Sequence, residues 1–218
     1  MEEKVTLKVL KNREKEARRE LIITAAERVF ASTRVDKATM REIAEDAGMT
    51  ASSIYRFFPN QEAILIAAIV RTQGRFNDLL ESVIDEKKPV ETLKKGIDIY
   101  IDFINENDTY FRMMTILMSH GNIGDESSED LIRVMDRSLV VMDRIVGLFK
   151  QVENPRPLSR YIYSILVGIS VSYNKLPGIN QESRIRHMKS LSGMLFDMVM
   201  NYINNPFPIE SKPGKDKS

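Results

Sequence analysis

Apolar residues recur along most of this chain at three- and four-residue spacing and strand-type alternation is nearly absent, so the pattern predicts an all-α protein. Between Lys15 and Ala31, the residues Leu21, Ile22, Ala25, Ala26, Val29 and Phe30 form one apolar stripe while Arg18, Arg19, Glu20, Glu27 and Arg28 take the other positions. This predicts a first helix with a single core face. Thr39 followed by Glu42 is a capping-box pair ahead of Ile43, Ala44 and Ala47, which predicts a short second helix. Gly48 suits the left-handed turn that ends it, and Thr50 offers a new cap for a third helix over Ala51 to Phe58. Pro59 stops that helix, and Asn60 starts a long fourth one through Ile64, Leu65, Ala68, Ile69, Phe76, Leu80 and Val83, long enough to connect two parts. Further helices are expected at Pro89 to Glu106, Asp108 to His120, Ser128 to Val152, Pro157 to Leu176 and Glu182 to Asn204, about nine in all. Between them lie the breaks Lys87-Lys88-Pro89, Gly121 to Gly124, Asn154 to Pro157 and Pro177-Gly178.

The expected organisation is an N-terminal domain over 1–60 with a basic arm, a larger helical domain over 61–205, and a polar, proline-containing tail over 206–218 expected to be mobile. With 43% hydrophobic and 29% charged residues, the 218-residue chain falls with ordinary globular proteins and not with disordered ones. The charged N-terminus carries no apolar leader segment and no stretch is apolar enough to span a membrane, so the protein is expected in the cytoplasm. There is no cysteine, which removes disulfides, thiolate zinc sites and thiol nucleophiles from consideration. The two histidines, His120 and His187, have no carboxylate or second ligand at metal spacing, and glycine-rich phosphate loops are missing, so neither an enzyme nor a cofactor or metal site is expected. The net charge of +1 decides nothing about nucleic acid, because a binding face needs local clustering.

Two short helices meeting at a glycine turn make a helix-turn-helix, in which the second helix enters the major groove and the first lies across the backbone. Ala51, Ser52 and Ser53 are small enough for close approach to base edges. Ile43, Ala44, Ala47, Ile54 and Phe58 would lock the pair on helix one, leaving Tyr55 and Arg56 pointing outward, where a phenol and a guanidinium suit phosphate and base contacts. Arg41 can reach either. Lys11, Arg13, Lys15, Arg18 and Arg19 of the arm add sequence-independent attraction to phosphates, against which stands the plain alternative of a solvated face interleaved with Glu14, Glu16 and Glu20.

From about Arg19 to Val70 the chain resembles the DNA-binding domain of the TetR/AcrR family of transcriptional regulators. The resemblance rests on Ala25-Ala26 with Phe30, on Thr39, Arg41, Ile43 and Ala44, on Ala47-Gly48, on Ile54-Tyr55, and on Phe57-Phe58-Pro59 before an acidic helix start. It implies that Thr39, Thr50, Tyr55 and Gln61 touch phosphates of double-stranded operator DNA and that Arg41, Ala51, Ser52 and Arg56 face bases. Two departures stand out: lysine is usual in the family where Gln61 stands, and a lysine-glycine pair is common where Ala51-Ser52 stands. Two groove cations are therefore absent, and the operator sequence cannot be transferred from a relative.

In the resembling family the C-terminal region encloses a small effector. Helices five to seven are rich in adaptable side chains, and an apolar pocket is expected from Phe103, Met113, Met114, Leu117, Met118 and Met142, oriented by polar groups drawn from Tyr100, Arg112, His120, Tyr163, Tyr173 and Asn174. The plain alternative is ordinary core. Ser164, Gly168 and Ser172 on helix eight, with Ser190 and Gly193 on helix nine, form small stripes that admit a close partner helix, which the resemblance makes a four-helix homodimer interface. Packing within one chain is the competing explanation. The function expected is an effector-responsive repressor, since the short tail offers no second module for recruiting polymerase. The alternative is a helical protein-interaction module that kept the fold without DNA binding.

Overall fold

The computed structural model describes residues 7–120, 125–173 and 178–205. Its helices are α1 (Leu7–Ser32), α2 (Met40–Asp46), α3 (Ala51–Ile54), α4 (Gln61–Ser82), α5 (Pro89–Glu106), α6 (Asp108–His120), α7 (Asp125–Val146), α8 (Pro155–Tyr173) and α9 (Gln181–Asn204), with a 3₁₀ turn at Val35–Lys37 and no strand among the described residues. The Gly121 to Gly124 break, Asn174, the His120 side chain and the expected tail lie outside the described residues.

Three boundaries differ from the expectation for identifiable reasons. α1 starts at Leu7 and not near Lys15, because its first three turns are strong helix formers with an i,i+4 pair, Glu14 to Arg18 at 2.7 Å, although they have no core face to betray them. α3 is a single turn: the Arg56 and Phe57 amides donate three residues back to Ser53 and Ile54, and Pro59 follows. α7 stops at Val146 because Gly147 weakens the helix and the chain continues as i to i+3 turns.

The chain forms two compact units, Met1–Leu79 with Phe103–Ser138, and Leu80–Asp102 with Leu139–Ser218. This division differs from a boundary at residue 60, because α4 is tied to α1: Arg71 on α4 donates to Glu20 at 2.9 Å and to Thr24 at 2.9 Å, and pairs with Glu27. In the first unit Ile22, Ala25, Ala26 and Phe30 of α1 join Ile43, Ala44, Ile54 and Phe58 in a core closed to solvent. Leu21, expected in that stripe, is 45% exposed, whereas Ile23 is buried, because α1 presents a second side toward the start of α4. Arg112 of α6 donates to the Phe30 carbonyl at 2.8 Å and the Thr33 carbonyl at 3.4 Å, supplying the C-terminal cations that α1 itself lacks.

The second unit is built on Leu93, Ile97 and Ile101 of α5, Ile145 and Val146 of α7, Ile162 and Leu166 of α8, and Met188, Leu195 and Val199 of α9. Asp143 ties α7 to α8 by accepting from Ser159 and from Arg160 at 3.3 Å. Lys189 of α9 pairs with Asp102 of α5 at 2.7 Å.

Candidate nucleic-acid interface

The helix-turn-helix is fixed by its own caps. Thr39 Oγ1 accepts from the Glu42 amide at 3.2 Å while a Glu42 carboxylate oxygen accepts from the Thr39 amide at 2.7 Å, the reciprocal box expected. α2 ends with the Met49 amide donating to Ala44 and the Gly48 amide to Glu45, with Gly48 at φ +65°, so the turn closes through a residue free of the Cβ penalty. Thr50 Oγ1 accepts from the Ser53 amide at 3.2 Å and starts α3. Arg28 to Asp46 at 2.6 Å pins α2 to α1. On this frame Ile54 and Phe58 are buried while Tyr55 is 54% exposed and Arg56 is exposed, so both side chains expected to face a groove do point outward.

The other expected contacts divide. Thr39, Thr50 and Ser52 are exposed, and Ala51 and Ser53 are half-buried at the start of α3. Arg41 is exposed and paired only with exposed Glu45 at 2.9 Å, an interaction weak enough to be exchanged for a phosphate or a base. Gln61 is engaged differently: its side-chain amide donates to the Val35 carbonyl at 2.8 Å, joining the first residue of α4 to the 3₁₀ turn. Of the arm, every residue from Leu7 to Arg18 is exposed. Arg19 is held beneath the residues that follow α3, donating to the Phe57 carbonyl at 3.1 Å with its guanidinium 4.3 Å from the centre of the Phe58 ring.

The residues expected around an effector fall into both units. In the first, Met113 and Leu117 are buried, Phe103 and Met114 are half-buried, and Met118 is 73% exposed, because it falls off the face that its neighbours at i and i+4 share. In the second, Tyr100 and Met142 are buried, and Tyr163 and Tyr173 are half-buried. Burial pushes the Tyr100 phenol well above its ordinary range, with a contribution from Tyr163 whose ring meets it edge-on at 6.4 Å, and Tyr163 is raised by burial too. Both phenols are therefore neutral hydrogen-bonding groups, and Tyr100 bonds Ser170. Tyr173 stacks on His187 at 6.1 Å. A cleft of about 450 Å³ in the first unit lies between α1 and the start of α4, walled by Ile23, Phe57, Phe58, Ile66 and the charged Glu16 and Arg19, and includes none of the expected effector residues. Ser164, Gly168, Ser172, Ser190 and Gly193 are all exposed, and a Cβ added at Gly168 or Gly193 would meet nothing within 4 Å.

A buried polar cluster escaped the sequence reading. Gln73 of α4 donates to Ser138 of α7 at 2.7 Å, Ser138 donates to Asn77 at 2.7 Å, Asn77 donates to the Val134 carbonyl at 2.9 Å, and the Tyr110 phenol of α6 donates to Gln73. Two amides at i and i+4 on the face that Ile69, Phe76 and Leu80 share were its only signal.

Residues 22–68, the segment just described, match the family described as bacterial regulatory proteins, tetR family. An uncharacterised HTH-type transcriptional regulator of Mycobacterium tuberculosis is 30% identical over 39% of this chain and 43% of its own length. The HTH-type transcriptional repressor BepR of Brucella suis is 26% identical over 62% of this chain and 66% of that protein. The chain thus covers less than two thirds of either relative. Among solved structures, the fold matches a transcriptional regulator FadR from Bacillus subtilis in complex with stearoyl-CoA, at a TM-score of 0.60 and 19% identity over 87% of this chain and 99% of that one. The solved structure shares the all-helical fold with its N-terminal helix-turn-helix. The likeness to the tetR family is carried by residues 22–68, the helix-turn-helix and the start of α4.

Proposed function

We propose that this chain is a homodimeric transcriptional repressor that holds a palindromic operator and releases it when a small apolar molecule binds the C-terminal helical domain. The observation that carries the DNA reading is the exposure of Tyr55 and Arg56 on a turn of helix whose opposite side, Ile54 and Phe58, is buried. A phenol and a guanidinium presented together beside three small residues make poor core and good groove contacts. Dimerisation through α8 and α9 is supported by exposure of the small stripes, which none of the described residues covers, and by Tyr161, Val171, Met194 and Met198 exposed on the same two helices. A two-fold dimer would set its reading helices roughly 34–36 Å apart, matching successive major grooves. An apolar effector is supported by the methionine and aromatic content of α5 to α7 and by the acyl ligand of the structurally similar FadR. To act, it must favour one dimer state by a few kcal/mol, since equal affinity for both shifts nothing.

The engaged Gln61 and the uncharged Ala51 and Ser52 favour a second reading, a protein-interaction module without DNA binding. Selection of fragments from genomic DNA by the purified protein separates the two. A repressor enriches a palindrome, binds it less tightly as salt rises, and loses about 10-fold or more in affinity on Arg56→Ala, as removal of a base or phosphate contact does. No enrichment, with binding unchanged by salt, would leave the interaction module.

A further inference from the structure

We propose that the overhanging half of α1 is a second DNA-contacting element, a basic helical rail whose Lys8, Lys11, Lys15 and Arg18 grip the sugar–phosphate backbone flanking the bases that α3 reads. This rests on the operator-binding reading above and extends it to residues outside the helix-turn-helix.

The argument is one of register. α1 is a single helix from Leu7 to Ser32, and its face at Ile22, Ala25 and Ala26 is fully buried in the helix-turn-helix domain, where α1 packs on α2. Arg18, Lys15, Lys11 and Lys8 precede Ile22 by four, seven, eleven and fourteen positions, the spacings that return to one side of a helix. The face that is apolar where it covers the domain therefore turns basic where it leaves it. Those cations look the way α2 lies, past the edge of the domain. Arg19, one residue beyond the stripe, touches Phe57 and Phe58, which directly follow the groove-facing Arg56, so the rail begins at the end of the reading element.

The charges are sorted as well as aligned. Glu16 and Glu20 fall off the stripe, and Arg13 falls with them on the other side. Among the described residues, Arg18 alone of the stripe has a partner, Glu14, and that pair is more than half exposed at both ends, so phosphate can replace it. Twelve exposed residues at a rise of about 1.5 Å give a rail of about 18 Å, enough to follow several phosphates. The rail also offsets the two groove cations missing at Ala51 and Gln61. Leu7 and Leu10 are exposed beside the stripe, which makes an anionic membrane the rival surface, but two leucines broken by Glu14 form no continuous apolar face.

The test uses the full chain and a duplex recovered by the genomic selection, extended by ten or more base pairs on each side. Lys8→Ala/Lys11→Ala/Lys15→Ala/Arg18→Ala is compared with wild type and with Lys94→Ala on α5, all of them substitutions at exposed positions. Expected is a salt slope lower by about 2 to 4 for the quadruple variant, near 0.9 per phosphate contact removed, an affinity lower by about 10- to 1000-fold at ~0.15 M salt, and loss of hydroxyl-radical protection outside the palindrome. Preference for the palindrome over random duplex is retained, and Lys94→Ala behaves as wild type. A quadruple variant with the wild-type slope and footprint overturns the rail while leaving the operator reading intact. Vesicles of anionic phospholipid captured by wild type and not by the variant, with DNA binding equal in the two, likewise overturn it in favour of a membrane. Failure of the wild type to bind any duplex overturns both readings at once.

Discussion

Gly48 holds φ at +65°, a region where every other residue type meets its own Cβ, and both amides that close α2 are aligned by it. Space is not the constraint, since a Cβ there would meet nothing within 4 Å. Gly48→Ala should therefore cost about 1 kcal/mol through backbone strain alone, read as a lower denaturation midpoint with an unchanged m-value. Tyr100 supplies a second prediction at this scale. Its folded pKa lies above the ordinary 10.0, so the unfolded chain ionises first. The stability it contributes is complete below pH 10 and declines as the pH climbs from there toward the folded value. Melting temperature should fall above about pH 10, and Tyr100→Phe should make that fall shallower.

Among the elements, the cluster of Gln73, Asn77, Ser138 and Tyr110 joins α4, α6 and α7 through partners that are all buried. Removing one member strands the rest without water. Asn77→Leu is expected to destabilise by about 1–3 kcal/mol, and Ser138→Ala by less, measured by urea unfolding. The helix-turn-helix was legible in the sequence because its information is local: Thr39 with Glu42, Gly48, Thr50 and Asn60 each specify a cap within four residues of themselves. The polar cluster was not, since Ser138 stands 65 residues from Gln73 and nothing near either names the other. The partners of Arg112 were hidden for the same reason, as the carbonyls of Phe30 and Thr33 lie about eighty residues back. Gln61 looked like a weakened phosphate contact, and only the fold brings the Val35 carbonyl within its reach.

At the scale of the whole molecule, the proposed dimer turns on the exposed faces of α8 and α9. Ser164, Gly168 and Ser172 with Tyr161 and Val171, and Ser190 and Gly193 with Met194 and Met198, leave small and apolar surface uncovered on two adjoining helices. Two copies paired about a two-fold axis would bury it. Sedimentation should give twice the 25.0 kDa of one chain, and Gly168→Leu with Met198→Glu should return it to one while the far-ultraviolet helix signal is kept. A wild-type monomer at micromolar concentration would leave a palindrome unexplained. The hydrogen bond from Gln61 to Val35 bears on how such a molecule can be switched. It staples the start of α4 to the turn that precedes Thr39, while Arg19 holds the residues that follow α3 from beneath. If that end of α4 shifts, the bond would carry the turn before Thr39 along with it, changing the aim of the helix-turn-helix more than its shape.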